Sequence, residues 1–553
     1  MRSADNEARE AYARVDGTAE PSLGEAARAL IGRSTISRRR ALRWIGGALS
    51  GAVLARFSGL SSAAAVPRPV REAVPVEHGA QLRGLLLPAK NRSLEGRFGL
   101  MFKRLPAFEP PDELLIELAT GMQEPADTPP AVPDNSRVPI GFVFLGQFID
   151  HDLTFDATPI PQQREDPDAR TNFRTARLDL DSLYGVGPRE NPELYDRDDS
   201  AKLRIAAGLG DPDVPDDLPR RDDTAIIGDP RDDENIVTSQ LHLAFRKFHN
   251  ALVDHVRVKG LRPPDLMFEE AQRLCRWYYQ WMVIHDFLPT IVGQEVLNEI
   301  LQERPGAPAK VRLSFYKPEN PNKPMMPIEF AVAAYRFGHS MLPHRYVLNE
   351  QTQNAVLFVK DPELDGSPPS LNGRRPLTPE LKIDWQYFFK TPDVPGVSSD
   401  SVNYARPIDS NLSTPLFTLP QTIVPPPDTR VVLAERNLLR GKRLGLPSGQ
   451  RVARQMGAVP LSNGELGLGE APGWEGQAPL WFYVLKEAEL EAGGKHLGPV
   501  GGRIVAEVIL GLLELDRSSY LRAAPAWRPE PPIAPEPGLF RMGDLLRFAG
   551  AAK

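Results

Sequence analysis

Proline sets the first limit on what this chain can become. Its ring fixes φ and removes a backbone donor, so each one ends a helix, confines a strand to an edge or opens a turn. The 553 residues hold 56 prolines, with 44 glycines beside them. That load predicts short elements joined by long ordered loops, yet it stays below the ~25–30% of Pro plus Gly that marks low-complexity chains. Hydrophobic residues make up 41% and charged ones 25%, which is ordinary for a globular protein and excludes wholesale disorder. At ~100–200 residues per domain, the length allows several domains or one large single-core enzyme. The formal charge of −6 carries no basic excess and argues against a nucleic-acid partner. Cys275 is the only cysteine, so neither an internal disulfide nor a site of two thiolates can form. The fold must rest on a core or a bound cofactor.

The N-terminal stretch reads as separate from the fold. Residues 1–33 are polar and alanine-rich without a period. Ser37, Arg38, Arg39 and Arg40 then form a basic segment, Trp44 to Ala55 a short apolar one interrupted by Arg56, and Ser61 to Ala65 a small-residue site. The apolar part is too short for a span of ~20 residues. The order matches an export signal, and the adjacent arginines resemble a twin-arginine signal. A basic tail or an amphipathic anchor is the other reading, and the stretch before the arginines is longer than usual. The expectation is a tail with an export signal over 1–65 and one domain over 66–553 with no membrane span. The mature protein would be periplasmic or extracellular, with the cytoplasm as the alternative.

Helical spacing recurs along the rest. Leu241, Phe245, Phe248 and Leu252 lie at i, i+4, i+7 and i+11. Residues 268–293 read as a long helix stopped near Pro289. Residues 498–515, with Ile504, Val508, Leu510 and Leu512, are apolar all round and therefore buried. Period-two alternation is scarce, and residues 362–427 are rich in Pro, Ser and Asp. The expected class is mainly α, with long Pro-rich loops and little β.

Five segments carry chemistry. In GQFIDHDLTFD (146–156), Gln147 and His151 share a helix face while Asp150 and Asp152 point elsewhere. A charged helix end and a metal site both fit. In residues 226–250, Arg231 and Glu234 lie at a helix start, where Asp232, Asp233 and Glu234 also serve as dipole complements; Arg231 does not. In AAYRFGHSMLPHRY (333–346), His339 is a core residue or a ligand. In RLDLDSLYG (177–185), Asp179 and Asp181 alternate. Extended, both would face one side as a hard cation requires, with Thr175 and the Arg177 carbonyl in the same row; an exposed acidic turn is the alternative. In AERNLLRGKRLGLP (434–447), Asn437 and Arg440 lie one turn apart.

Taken in order, these motifs resemble the animal-type haem peroxidase family of the peroxidase–cyclooxygenase superfamily. GQFIDHDLT is followed by T-x-R-x-D-x-D-S-x-Y-G, GDxRxxE, a helix ending F-H-N, Y-R-F-G-H and R-N-x-x-R, from about residue 78 to about 530. The resemblance implies a mainly α haem peroxidase fold, in a bacterial-style member. It implies His151 as the distal histidine, Gln147 as the distal glutamine and Arg231 as the catalytic arginine. His339 is implied as the ligand of the haem iron, and Asn437 as the acceptor of a hydrogen bond from its second nitrogen. Arg336 and Arg440 match arginines near the haem propionates. Asp150 and Glu234 match the two carboxylates that can become esterified to haem b. Asp152, Thr175, Arg177 through its carbonyl, Asp179 and Asp181 match a Ca2+ loop.

Elementary chemistry agrees with those roles. Peroxide reduction needs a neutral imidazole to move a proton and a fixed cation where negative charge develops. Two departures narrow the expectation. Asn235 stands where mammalian secreted members carry a sulfonium-forming methionine, so bromide, iodide, thiocyanate or phenols should react more readily than chloride. Arg336 occupies the slot, three residues before His339, of the radical tyrosine of the oxygenase branch, while Tyr335 lies four before. The expected activity is an oxidoreductase that reduces hydrogen peroxide and oxidises small organic donors or halides, as in responses to oxidative stress. A haem fatty-acid dioxygenase and a non-catalytic adhesion protein on the same scaffold are the alternatives.

Overall fold

The computed structural model describes residues 96–125, 138–155, 171–208, 215–390 and 402–552, with interruptions at 173, 305–306, 321–323, 361, 363, 365, 421–422, 425–428 and 470–471. The export signal and the boundary at residue 65 lie outside the described residues. Six helices of eleven residues or more carry the described part: α1 (Gly141–Leu153), α2 (Ile236–Val258), α3 (Pro264–Met282), α4 (Leu433–Arg443), α5 (Leu480–Ala492) and α6 (Pro499–Leu515). No described strand exceeds five residues. The fold is mainly α, with long connections where proline is dense.

Helix α2 starts where Asn235 accepts hydrogen bonds from the backbone N–H of Val237 and Thr238. Its stripe of Leu241, Phe245, Phe248 and Leu252 is fully buried against α1 and α3. Phe148 of α1 stacks on Phe245 with ring centroids 4.6 Å apart. Helix α6 packs on α5, and the Glu487 carboxylate of α5 accepts from the first amides of α6, Val500 and Gly501. A neighbouring helix thus satisfies donors that a helix start leaves open.

Pro289 does not stop the third helical segment. Residues Val283–Phe287 widen into a π-turn after α3, and Leu288–Val292 continues as α-helix. The wider turn moves aside the carbonyl that the proline ring would strike and absorbs the missing donor. The run ends at Gly293, whose φ of +79° suits a residue without Cβ.

Residues 329–339 join the two helix groups. They wind first as a π-turn (Glu329–Ala333) and then as 3₁₀ (Ala334–His339), and they pack against α1, α4, α5 and α6. Glu329 is buried and accepts from the amides of Met101 and Phe102, each at 2.9 Å. That contact ties the winding to β1 (Gly96–Gly99), which sits between β2 (Thr171–Asn172) and β3 (Met325–Pro327), with Phe98 opposite Met326.

Gly228 sits where two backbones touch, just ahead of the Asp229–Glu234 segment. A Cβ there would lie 2.3 Å from the Ser182 carbonyl oxygen and 3.0 Å from its carbon. Backbone cannot rotate away as a side chain can. Gly228→Ala is therefore expected to cost about 1–3 kcal/mol, seen as a lower denaturant midpoint at unchanged slope. An unchanged midpoint would refute this close approach.

Candidate active site

Helix α1 is apolar around most of its surface, and its C-terminal turns carry the polar residues. Gln147, Asp150, His151 and Thr154 line one cavity. At about 100° per residue, position i+3 falls back on the face of i and i+4. Asp150 therefore joins Gln147 and His151, contrary to the expectation that both aspartates point away; only Asp152 does so. The cavity has a volume of about 200 Å³ and opens to solvent. Arg231, Glu234, Arg336, His339 and Arg440 share its wall with Val143, Leu357, Phe358, Leu419 and Ile423. Residues nearly three hundred positions apart in the chain thus face one space.

A short 3₁₀ turn, Pro230–Asp233, sets the polar side of this space. Its cap, Asp229, is fully buried and accepts from the Arg231 backbone N–H at 2.9 Å and from Arg231 Nη2 at 2.7 Å. Arg231 Nη2 also donates to the carbonyls of Thr154 at 2.6 Å and His151 at 3.1 Å, and the guanidinium lies 4.6 Å from the Phe155 ring centroid. Arg174 pairs with Asp229 and, at 3.2 Å, with Asp181. Burial pushes the Asp229 carboxyl up, but Arg174 and Arg231 outweigh it and hold it well below the usual range.

The three acids after Arg231 take separate partners and are not mere complements of the helix dipole. Asp232 lies 2.7 Å from Nδ1 of His151 and 2.8 Å from Nδ1 of His242. Asp233 accepts from Arg220 at 2.7 and 2.9 Å. Glu234 lines the cavity 3.5 Å from Arg374, and burial pushes its carboxyl up to about 7. Burial and the nearby Arg231 lower the pKa of His151, favouring the neutral ring. Burial also raises Asp150, against the pull of Arg231 and Arg336. Gln147 Oε1 accepts from Asn235 Nδ2 at 3.0 Å and from the Thr238 hydroxyl at 3.2 Å.

His339 closes the 3₁₀ turn on the cavity wall, and burial lowers its pKa to about 3, so the ring is neutral. Asn437 of α4 lies behind it. The amide nitrogen, not the oxygen, faces Nδ1 of His339 at 2.8 Å, while Oδ1 accepts from Arg336 at 3.4 Å. The expected acceptor is thus turned the other way. Burial pulls the Arg440 guanidinium down to about 9.

Asp152, on the far side of α1, meets Asp179 and Asp181 with carboxylate oxygens within 4.8 Å of one another. Leu180 between them adopts φ +57°, so the two loop aspartates converge through a kink rather than along an extended strand. Neither oxygen of Asp152 has a hydrogen-bond partner among the described residues. Thr175 donates to Asp179 at 3.1 Å, and the Arg177 side chain reaches Asp516 at 3.4 Å. Burial and the mutual repulsion of the three acids raise Asp152 strongly; burial raises Asp181 to about 7 and Asp179 in the same direction. A buried carboxylate with both oxygens unpartnered, beside two half-buried carboxylates, fits a hard cation.

Asp229, Asp232, His242, Arg174 and Asn235 were not marked as site residues by sequence reasoning. Asp229 stood in the GDxRxxE motif without a role, Asn235 was noted only as a departure, and the acid run 232–234 read equally well as a helix start.

The family model for the animal haem peroxidase matches residues 156–366. This match and the curated relatives support the animal haem peroxidase family for this chain. It is 28% identical over 186 residues to a peroxidase-like protein of Margaritifera margaritifera, covering 32% of this chain and 22% of that one. It is 24% identical over 196 residues to thyroid peroxidase of Homo sapiens, covering 32% and 20%. The chain thus spans about a fifth of the length of these curated relatives. Among solved structures it resembles peroxidase A of Dictyostelium discoideum, with TM-score 0.52 and 15% identity over 83% of this chain and 95% of that one. A fatty acid alpha-dioxygenase of Oryza sativa gives TM-score 0.51 and 16% identity over 76% and 77%. These likenesses establish the peroxidase fold. No helix among the described residues is long and apolar enough to cross a membrane.

The acid cluster sets a pH signature for this family member. A carboxylate raised in the folded state binds its proton more tightly there, so its stabilisation is full below the unfolded value of ~4 and is lost as pH rises through the folded value. In chelator, stability should therefore fall as pH rises from ~4 through the Asp181 value of about 7. Added calcium should remove that part of the slope. Denaturant midpoints against pH, with and without calcium, check this; identical slopes would count against cation binding at Asp152, Asp179 and Asp181.

Proposed function

We propose that this chain is a haem peroxidase that reduces hydrogen peroxide and oxidises small organic donors or halides. One observation carries the reading: a single cavity has His151 with Arg231 on its wall and His339, backed by Asn437, on the same wall. The residues fit a haem. The cavity lining is largely apolar, and a haem carboxylate would relieve the desolvated Arg440 and pair with Arg336. Bound haem supplies an iron at which the O–O bond of peroxide is cleaved and oxidising equivalents are passed to a donor.

The chain's own residues do the rest. His339, neutral by burial, would hold the iron through Nε2. Its proton then resides on Nδ1, and a half-turn of the Asn437 amide presents Oδ1 to it within the same outline. His151 takes the proton from peroxide and returns it to the departing oxygen. Arg231 has Nε and Nη2 committed to Asp229 and to the end of α1. It is thus a fixed cation that need not reorganise as charge develops. Asn235 and Thr238 hold the Gln147 oxygen, which leaves its Nε2 donors for a water or halide. Asp150 and Glu234, both on the cavity lining, would be the carboxylates able to esterify a bound haem, and Ca2+ at Asp152 would fix the backbone beside His151. Export through the signal within residues 34–65 belongs to the same reading.

A fatty-acid dioxygenase is the second reading, favoured by Tyr335, whose buried hydroxyl on the cavity wall has no hydrogen-bond partner among the described residues. Its place four residues before His339, with Arg336 in the slot of the oxygenase tyrosine, weighs for the peroxidase.

Stopped-flow reaction with hydrogen peroxide tests the first reading. Arg231→Gln should retain haem, because Asp229 keeps Arg174, while the reaction slows on the order of 10²–10³-fold. A wild-type rate would overturn the role of Arg231. Oxygen uptake with palmitate but no peroxide-dependent oxidation of a phenol would favour the second reading.

A further inference from the structure

Behind His151 lies a group that the reading above leaves unused. Asp232 is completely buried and divides its carboxylate between two rings, with Oδ1 at Nδ1 of His151 and Oδ2 at Nδ1 of His242. An ionised carboxylate offers acceptors only, so with both rings held neutral by burial each Nδ1 carries the proton and each Nε2 is bare. For His151 the bare nitrogen is the one left for the cavity, which is the form a base requires. His242 lies in the second turn of α2, and its own Nε2 is buried with no hydrogen-bond partner among the described residues. The series His151–Asp232–His242 therefore ends inside the core. It has no exit for a proton, which makes it an orienting device and not a relay.

The surroundings fix Asp232 in place. Its backbone N–H donates to the Asp229 carbonyl at 3.1 Å, so the residue is held by the same turn that holds Arg231. The edge of the His242 ring packs against Phe148 of α1 at 6.2 Å between centroids. Asp233 and Glu234 have their own partners, so neither can substitute.

We propose that Asp232 is a positioning residue that holds His151 in the Nδ1–H form with Nε2 open as the base, and that His242 anchors Asp232 for that task. The proposal rests on the peroxidase reading for its chemistry. Its structural content, the tautomer of His151, can be read whether or not haem binds.

The test uses the full chain labelled with ¹⁵N at its nine histidines, reduced under carbon monoxide so that any bound iron is diamagnetic. The His151 signals are assigned by their loss in His151→Gln. The expected wild-type spectrum shows Nδ1 protonated and Nε2 bare for both His151 and His242. A wild-type His151 protonated on Nε2 would overturn the proposal, and this reading stands even if a variant fails to fold. In Asp232→Asn the amide offers one acceptor and one donor, so both rings cannot keep Nδ1–H. The Nε2–H form of His151 should then appear, and the reaction with peroxide should slow on the order of 10²-fold, the lower part of the range for a general base. His242→Phe should keep the His151 tautomer and slow the reaction less. An Asp232→Asn protein that is merely less stable, with wild-type tautomers and rate, would show a structural role only and overturn the proposal. Absence of a Soret band with the expected tautomers would instead count against the haem reading alone.

Discussion

The buried carboxylate of Asp229 ties together segments that the chain keeps far apart. It pairs with Arg231 two residues on and with Arg174 fifty-five residues back, and Arg174 continues to Asp181. Arg231 in turn holds the last carbonyls of α1. Two cations face two carboxylates, and hydrogen bonds link the four groups. Breaking a pair of this kind by removing one partner costs on the order of 3–5 kcal/mol, because the other charge is left buried. The same knot fixes Arg231 on the cavity lining, so stability and placement of Arg231 are not separable.

Helix α1 turns that knot into a site. Its apolar face is packed through Phe148 on α2, which leaves no rotational freedom about its axis. Positions 147, 150, 151 and 154 then look into the cavity while Asp152 looks at the acid loop. A cation at Asp152 and the arginine knot at the carbonyls of His151 and Thr154 would hold one helical turn from two sides. Also on the cavity lining, the 3₁₀ turn carrying His339 is braced by Asn437 and by the Trp481 indole, which donates to the Arg336 carbonyl at 3.2 Å.

Much of this was legible in the sequence, for physical reasons that differ by element. The stripe in α2 and the all-apolar α6 follow from helical period, because burial selects one face or the whole surface. Gln147, His151, Arg231 and His339 were marked by motif order, and the fold brings them to one cavity. Asp232 was not legible, because an acid at a helix start looks the same whether it serves the dipole or two histidines eighty-one residues before and ten after it. Arg174 gave no signal, and Asp229 stood in the GDxRxxE motif without a role, since nothing local requires the two to meet. Pro289 misled because a π-turn, invisible in composition, removed its penalty. The Asn437 amide defeated sequence reasoning for a simpler reason: residue type fixes the outline of a side chain and leaves open which end donates.

The central claim is that His339 holds a haem iron facing His151 and Arg231. Absorption spectra of the haem-loaded full chain and of His339→Ala, without and with added imidazole, test it most directly. The account predicts a Soret band of a histidine-ligated haem in the wild type, its loss or displacement in His339→Ala, and its recovery with imidazole. An unchanged Soret band and unchanged reaction with peroxide in His339→Ala would contradict it.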